Sequence, residues 1–425
     1  MGQTMAEKLL SRHNLAQEPV KAGDLVDARI DGAMCHYHFM DVHRLAVQAG
    51  FTDGFPRVWD RDKVFFLIDH HQPALSQSIA DDNALIRKEA ARLGVNVFHD
   101  AEPGIAHQMI LDYGLARPGE LVVGMDSHTI GYGALNTGAT GITRPDLMYA
   151  MLFGELWFQV PPSVKIVMKG TQPRYPIAKD IMLYLAGKYG DDFAQNMAIE
   201  FTGPLVSQLS IDSRACLSTH GVEVAAKFAM FPADAKTEAF LRERTDKPYE
   251  PLVADANAQY EREIVVDVDA MPFVVAKPHQ FGNVVDVGEV KGVRIDQAQI
   301  GSCANGRFED IEIAARMLKG RKVAKGVRFL VSPASQQVYL QCLKAGLIEQ
   351  LIESGAQVVT PGCGVCQPKV GFLSPGEVCI TATTRNFKGR KGSLEAQIYL
   401  GGPLTVTAAA VAGEIVNPKE VFHEL

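Results

Sequence analysis

The stretch Pro361-Gly362-Cys363-Gly364-Val365-Cys366 places two cysteines three positions apart in a loop rich in glycine and proline. A third cysteine lies upstream in a second glycine-bearing segment, Gly301-Ser302-Cys303-Ala304-Asn305-Gly306-Arg307. Each segment directly follows a predicted β-strand, at 357–360 and at 293–300. Ligands of parallel α/β sheets bind outside the carboxyl ends of the strands, so we expect the three thiols to meet at one edge of a sheet.

Three thiolates are one too few for a closed structural zinc site made of four cysteines. They are enough to hold an iron–sulfur cluster at three of its irons and to leave one iron open. The neighbouring glycines let backbone N–H groups approach the sulfides. The alternative is a set of unrelated reduced thiols, which the spacing alone leaves open.

Loops that carry aspartate and histidine follow three further predicted strands, at 63–68, 95–98 and 120–124. One such loop can arise by chance, whereas three in succession favour a functional site. The same edge rule brings these side chains together. They are Asp69, His70, His107, Asp126 and His128.

Predicted strands and helices alternate along the chain, which indicates an α/β fold with parallel sheets. A chain of 425 residues has room for roughly two to four domains. We predict three α/β units at 1–162, 163–277 and 278–425, the last of which carries the three loop cysteines. We also predict one helix at about 215–231 and another at about 335–355.

The composition is that of a globular protein, with 47% hydrophobic and 21% charged residues. A net charge of −7 and a pI near 6.0 give no electrostatic basis for binding nucleic acid or membrane. No apolar run reaches the roughly 18 residues that a membrane span needs, and no signal peptide is recognisable. The odd number of cysteines argues against a disulfide framework, so we expect a cytoplasmic protein.

Arg385 and Arg390 follow another predicted strand, at 378–382, and their guanidinium groups suit carboxylates. Glu200 ends a strand of the second unit, where on its own it fits a structural role as well as a functional one. An open iron is a Lewis acid that can bind a hydroxyl and a carboxylate. Together with acid groups that protonate a departing hydroxide, these features describe the dehydration of a hydroxy acid.

Over nearly its whole length the sequence resembles the aconitase superfamily. Within that superfamily it is most similar to the large catalytic subunits of two-subunit 3-isopropylmalate dehydratases and homoaconitases. The resemblance rests on four motifs, which are Gly-Ser-Cys303-x-Asn-Gly-Arg307, Cys363-Gly-x-Cys366, Met125-Asp-Ser-His-Thr129 and Thr384-Arg-Asn-Phe-x-Gly-Arg390.

The resemblance implies three α/β/α domains around a central cleft that holds one [4Fe–4S] cluster per chain. It implies that Cys303, Cys363 and Cys366 bind the cluster, and that one iron has no cysteine ligand. It assigns substrate binding to His36, Arg385 and Arg390. The residues that it places in the catalytic shell are Asp69, His70, His107, Asp126, His128 and Glu200.

The resemblance also implies a fourth, swivelling domain that carries a serine base and a further substrate arginine. In two-subunit members this domain is a separate small subunit, so we expect such a partner together with a small hydroxy-acid substrate. Neither nucleic acid nor a membrane is an expected partner.

Several positions depart from the family pattern, so the identity of the substrate stays open. They are Tyr37, Arg144, Thr219, Val365, Gln367 and Pro368. The alternatives are dehydration of another alkyl-malate, such as 2,3-dimethylmalate, or a homoaconitase or aconitase activity. An iron-sensing protein that binds RNA is less favoured. A nucleotide-binding enzyme is disfavoured because no Gly-x-Gly-x-x-Gly motif follows a predicted strand.

Overall fold

The computed structural model describes residues 2–100, 102–367 and 369–423, so Pro368 lies outside the described residues. The α-helices in this part of the chain are α1 (Met5–His13), α2 (Phe39–Gln48), α3 (Gln77–Leu93), α4 (Ala106–Asp112), α5 (Arg144–Phe153), α6 (Ala178–Tyr189), α7 (Ile211–His220), α8 (Ala235–Arg242), α9 (Phe308–Leu318), α10 (Gln336–Lys344), α11 (Leu347–Glu353), α12 (Pro403–Ala412) and α13 (Pro418–Val421).

The strands are β1 (Leu25–Arg29), β2 (Gly32–Cys35), β3 (Val64–Leu67), β4 (Val97–His99), β5 (Leu121–Gly124), β6 (Gly138–Gly141), β7 (Glu155–Gln159), β8 (Ser163–Lys169), β9 (Ala198–Thr202), β10 (Phe228–Met230), β11 (Arg262–Asp267), β12 (Val274–Ala276), β13 (Val284–Asp286), β14 (Gln297–Ile300), β15 (Arg328–Val331), β16 (Gln357–Val358), β17 (Val378–Thr381) and β18 (Gln397–Gly401).

Three sheets dominate the architecture. The first has the order β4-β3-β2-β5-β6 and the second the order β10-β9-β8-β11, and all neighbouring strands in both are parallel. The third has the order β13-β12-β18-β17-β14-β15-β16, in which β12 runs antiparallel to both of its neighbours. The predicted α/β fold with parallel sheets is thereby confirmed. A separate antiparallel ribbon joins β1 to β7.

Central strands of the first sheet are buried along their whole length, which explains their unbroken apolar sequences. Every residue of β2, β3 and β5 is buried, as expected where helices cover both faces of a parallel sheet. One large apolar core joins the strands to α1, α2 and α5. Separate cores lie around the second and third sheets.

Two of the predicted helices are wrong in extent. The helix expected at 215–231 ends at His220, and Phe228–Met230 instead forms β10 beside β9. Ala225 has a left-handed φ of 66°, which stops any helix there. The helix expected at 335–355 is divided into α10 and α11, because Gly346 between them has a φ of 73°.

The predicted domain limits stay a prediction. Strands of the first sheet come from 32–141 and those of the second from 163–267, while β12 joins the third sheet although it precedes residue 278. No described helix has the length and apolar content to cross a bilayer.

Candidate active site

A cavity of about 190 Å³ lies where loops of the first and third sheets meet. Its wall is made of polar and sulfur-bearing side chains. They are Tyr37, His38, His70, His107, Asp126, His128, Ser302, Cys303, Cys363, Cys366, Gln367, Arg385 and Arg390. The structure therefore brings together the three loop cysteines, both arginines and four of the five predicted Asp/His side chains.

The three cysteines come from two loops of the third sheet. Cys303 follows β14, while Cys363 and Cys366 lie at a short helical turn after β16, and all three are buried. Arg390 Nη2 donates to Cys366 Sγ at 3.4 Å. Burial alone would raise the pKa of Cys366, but the positive charges of Arg390 and Lys391 outweigh it and lower the pKa to about 6. Cys366 is thus a thiolate at neutral pH.

The donor set fits an iron–sulfur cluster held at three irons. Burial, reinforced by the negative charge of Asp69, raises the pKa of Cys363 well above its usual range. Three adjacent thiolates therefore need a positively charged group between them. All seven cysteines are free, and no fourth cysteine lines the described part of the cavity wall. This composition suits three-point attachment better than a closed zinc site.

The first carboxylate–histidine pair follows β3. Asp69 Oδ1 lies 2.6 Å from His70 Nδ1, and Asp69 Oδ2 accepts from Ala106 N at 2.9 Å. Burial alone would raise the pKa of Asp69, but the charge and hydrogen bond of His70 outweigh it and lower the pKa to about 2. Burial would lower the pKa of His70, but the charge and hydrogen bond of Asp69 outweigh burial and raise it. His70 Nε2 is directed toward Asp126, at 3.9 Å from Oδ2.

Asp126 follows β5 and forms the second pair. Its Oδ1 lies 2.9 Å from His107 Nε2, and the other ring nitrogen of His107 lies 3.0 Å from the Tyr132 hydroxyl. Burial would raise the pKa of Asp126, but His107 and His128 outweigh it and hold the pKa well below its usual range. Asp126 is therefore a fixed anion at the centre of the histidines.

Glu223 forms a third pair that the sequence does not predict. Its Oε1 lies 3.1 Å from His128 Nε2 and accepts from Arg385 Nε at 2.8 Å. Arg385 Nη2 also donates to Ser127 Oγ at 3.0 Å. Burial opposes a charge on His128, but Cys303, Asp126 and Glu223 outweigh it and raise the pKa of His128 well above its usual range.

No local pattern marks Glu223. It lies in a single 3₁₀ turn, Gly221–Val224, directly after α7, and no strand precedes it. Ser127, by contrast, lies within the motif Met125-Asp-Ser-His-Thr129 and could have been named from it.

The structure does not bring Glu200 to the cavity, so its catalytic role stays a prediction without a contact to support it. Its carboxylate accepts from Met5 N at 2.6 Å, from Ala6 N at 3.4 Å and from the Tyr260 hydroxyl at 2.8 Å. It therefore binds the first N–H groups of α1, where a negative charge is favoured by the helix dipole. Glu200 is not part of the cavity wall.

His36 lies behind the cavity wall. Its Nε2 is buried without a hydrogen-bond partner among the described residues and lies 3.9 Å from Asp126 Oδ2. Burial lowers the pKa of His36 to about 3, so the ring is neutral. Tyr37 lies in the wall itself, and its side chain hydrogen-bonds to Gln367 of the cysteine loop. The role of His36 in substrate binding stays a prediction.

The fold, together with a cavity of thiols, carboxylate-paired histidines and arginines, defines an enzyme of the hydro-lyase class. A sequence model described as Aconitase family (aconitate hydratase) matches residues 64–413. The chain belongs to the aconitase family. This membership implies an iron–sulfur cluster, which the three thiols fit.

Similar proteins agree along nearly the full length. The chain is 42% identical to "3-isopropylmalate dehydratase large subunit 1" of Methanopyrus kandleri, over 99% of each chain. It is 42% identical to "3-isopropylmalate dehydratase large subunit" of Nitratidesulfovibrio vulgaris, over 98% of this chain and 99% of the relative. The solved structure of Thermococcus kodakaraensis aconitase X (holo-form) is 12% identical, with a TM-score of 0.50 over 87% of this chain and 88% of that one. That likeness supports the fold alone.

Proposed function

We propose that the chain is the large catalytic subunit of a [4Fe–4S]-dependent hydro-lyase that dehydrates a 2-hydroxy dicarboxylic acid of the 3-isopropylmalate type. One observation carries the proposal: three thiols, carboxylate-paired histidines and two arginines line a single cavity. The names of the relatives, each a dehydratase large subunit, support the same substrate class. The proposed location is the cytoplasm.

Cys303, Cys363 and Cys366 would hold the cluster. When bound, the cluster supplies a Lewis-acidic iron that polarises the substrate hydroxyl. Two polar contacts surround the Cys366 sulfur: Arg390 donates a hydrogen bond to it, and Thr384 Oγ1 lies 3.5 Å away. Such contacts to a ligand sulfur stabilise the thiolate and tune the cluster.

Arg385 and Arg390 would bind the two carboxylates of the substrate. A guanidinium group can donate two parallel hydrogen bonds to a carboxylate, so two of them fix both the position and the orientation of a dicarboxylate. Glu223 and Ser127 hold two nitrogens of Arg385, which leaves the remaining N–H groups of its fork for substrate.

The histidines would donate the proton that converts the departing hydroxide to water. The pKa of His128, raised well above its usual range, keeps that ring protonated at neutral pH next to Glu223. The raised pKa of His70 favours its protonated form next to the anion Asp69. A protonated imidazole at the cavity wall is placed to give its proton to a departing hydroxide. The base that removes the proton from carbon would be a serine on the swivelling domain of a small subunit.

The alkyl group that the enzyme accepts depends on the walls around it. No aliphatic side chain is among the described residues of the cavity wall. We therefore assign most of the alkyl selectivity to the small subunit, with Tyr37 and Gln367 as the contribution of this chain. The other candidate substrates, 2,3-dimethylmalate and homocitrate or citrate, differ from 3-isopropylmalate in the group that takes the place of its alkyl substituent.

A substrate panel tests the proposal. The chain and the small subunit produced with it are reconstituted anaerobically with iron and sulfide, and enoate formation is followed by ultraviolet absorbance. We expect product from 3-isopropylmalate, and product from only another hydroxy acid of the panel would move the assignment to that substrate. A cluster-loaded pair that gives no enoate from any of them would refute the proposed function.

A further inference from the structure

Helix α6 begins with a lysine in an unusual place. The side chain of Lys179 is fully buried, in the first turn of the helix. A positive charge at a helix N-terminus is disfavoured by the helix dipole, and burial of an ammonium group is costly without good partners. A buried cation at this position therefore calls for a specific role, which neither the thiols nor the carboxylate–histidine pairs explain.

The Lys179 ammonium is held by two neutral acceptors. It donates to the backbone carbonyl of Thr383 at 2.7 Å and lies 3.1 Å from His220 Nε2. His220 Nδ1 lies 2.8 Å from the Cys216 carbonyl and must donate to it, so its Nε2 lone pair is free to accept from Lys179. The Phe281 ring, 5.9 Å from Nζ to its centroid, adds a cation–π contact.

Thr383 lies directly before the residues that shape the candidate active site. It follows the end of β17, the next residue Thr384 touches the Cys366 sulfur, and Arg385 follows that. Lys179 reaches this segment from α6, the helix that lies between β8 and β9 in the chain. Its hydrogen bond therefore fixes the backbone two residues before the guanidinium group that contacts Glu223 and Ser127.

Other contacts hold the same loop farther along. Asn386 Nδ2 donates to the Lys277 carbonyl at 2.9 Å, and Lys391 Nζ donates to the Val365 carbonyl at 2.6 Å. Both anchors lie after Arg385, so Lys179 is the described side chain that holds the loop on its N-terminal side from outside the third sheet.

The charge of Lys179 has a second consequence. Burial lowers the pKa of this ammonium to about 8, while the negative charges of Glu223 and Cys366 oppose that effect. Most molecules therefore carry the positive charge at neutral pH, close to the carboxylate and the thiolate that the site uses. The hydrogen bond of Lys179 to the Thr383 carbonyl and its positive charge near Glu223 and Cys366 therefore both stabilise this part of the site.

We infer that Lys179 is a positioning residue that sets the direction of the Arg385 side chain by holding the Thr383 carbonyl. The inference rests on the proposed function, in which Arg385 binds a substrate carboxylate. Lys179 itself does not touch the cavity. Its effect on substrate passes through the backbone at 383–385.

Lys179→Met tests the inference, because methionine keeps most of the volume and removes the charge and the donors. Lys188→Met is the matched control, since Lys188 lies on the same helix and is exposed. Hydrogen–deuterium exchange of the unloaded full chain reports on the loop without any turnover. We expect faster exchange in peptides covering 383–390 for Lys179→Met, and no change there for Lys188→Met.

Kinetics of the loaded enzyme with its small subunit add a second readout. Loss of a charge-assisted hydrogen bond that orients a substrate-binding group should raise KM roughly tenfold, with kcat changed less. Unchanged exchange at 383–390 and an unchanged KM would overturn the inference. Equally, faster exchange spread over all peptides would overturn it, because it would show general support of the fold.

If Lys179→Met does not fold, Lys179→Gln replaces it, since glutamine is neutral but retains a donor for the Thr383 carbonyl. The same two readouts then decide, with smaller changes expected in the same direction. The outcome is separable from the proposed function. A substrate panel without product refutes that function, whereas the exchange measurement on the unloaded chain still tests Lys179.

Discussion

Glu223→Gln is the substitution that tests the structure most directly. Glutamine preserves the shape of the side chain but removes its negative charge. In the wild-type chain a single oxygen, Oε1, lies 3.1 Å from His128 Nε2 and 2.8 Å from Arg385 Nε. The substitution therefore weakens the hold on a proton-carrying histidine and on a substrate-binding arginine together.

The expected loss follows from these two contacts. Hydrogen bonds to charged groups contribute about 1.5–3 kcal/mol each, whereas neutral ones contribute about 0.5–1.5 kcal/mol. Exchanging the carboxylate of Glu223 for an amide oxygen weakens both contacts by about 1–1.5 kcal/mol each, a loss of about 2–3 kcal/mol. If this loss falls on the transition state, kcat/KM drops by about 30- to 160-fold.

The assay is enoate formation by the reconstituted enzyme with its small subunit, together with the unfolding midpoint of the unloaded chain. Glu200→Gln is the matched control, because Glu200 is also a buried glutamate but binds the first turn of α1. We expect Glu223→Gln to lose activity as well as some stability, because both contacts are present in the folded chain. We expect Glu200→Gln to lose about 1–3 kcal/mol of stability and to keep kcat within about twofold.

The opposite result would refute the reasoning. If Glu200→Gln lost activity by two orders of magnitude at unchanged stability, while Glu223→Gln remained active, the third carboxylate–histidine pair would be misassigned. An equal loss of activity in both variants would also contradict the separation that the structure shows.

Three further predictions concern the cluster site and the contact of α6 with the third sheet. Cys303→Ser should abolish iron and sulfide incorporation, measured by metal analysis, whereas Cys342→Ala should incorporate both normally because Cys342 is buried in the α10 region. Gly402→Ala should lower the unfolding free energy by about 1–3 kcal/mol, since a Cβ there would overlap the Asp180 carboxylate. The neighbouring Gly401→Ala should change it little, because its Cβ would meet Thr405 Cβ at an ordinary 3.5 Å, as denaturant titration can check. Burial raises the pKa of Asp180 from 3.8 to about 7, so the folded chain retains a proton that the unfolded chain releases. Stability from this group therefore falls as pH rises from about 4 to about 7, and Asp180→Asn should flatten that part of the profile of denaturation midpoint against pH.

Much of the site could be predicted from the sequence because its chemistry lies at strand ends. Asp69 and Asp126 follow β3 and β5, and Cys303 follows β14. A buried strand is recognisable from its apolar run, and the rule that ligands bind at the carboxyl ends of parallel strands needs no tertiary information. The arginines and the cysteine pair lie in loops of the third sheet under the same rule.

The contribution of the second sheet to the site was harder to predict, because the residue that contacts the site lies in a turn after a helix and not at the end of a strand. Periodicity continues α7 through the segment that in fact turns at Ala225 and forms β10. That error hid Glu223, which lies in the turn itself. The family resemblance placed Glu200 in the catalytic shell, but its carboxylate accepts from the N-terminus of α1, a partner 195 positions away in the sequence.

Glu200 and Glu223 show the limit of the rule that functional side chains lie at the carboxyl ends of parallel strands. The rule locates a residue along a strand, but the element that packs against that strand decides what its side chain meets. At β9 that element is α1, whose free N–H groups take the carboxylate. At the turn after α7 it is the loop of Arg385. The second sheet therefore contributes to the site by holding groups of the first and third sheets, and substitutions in it should act by moving those groups.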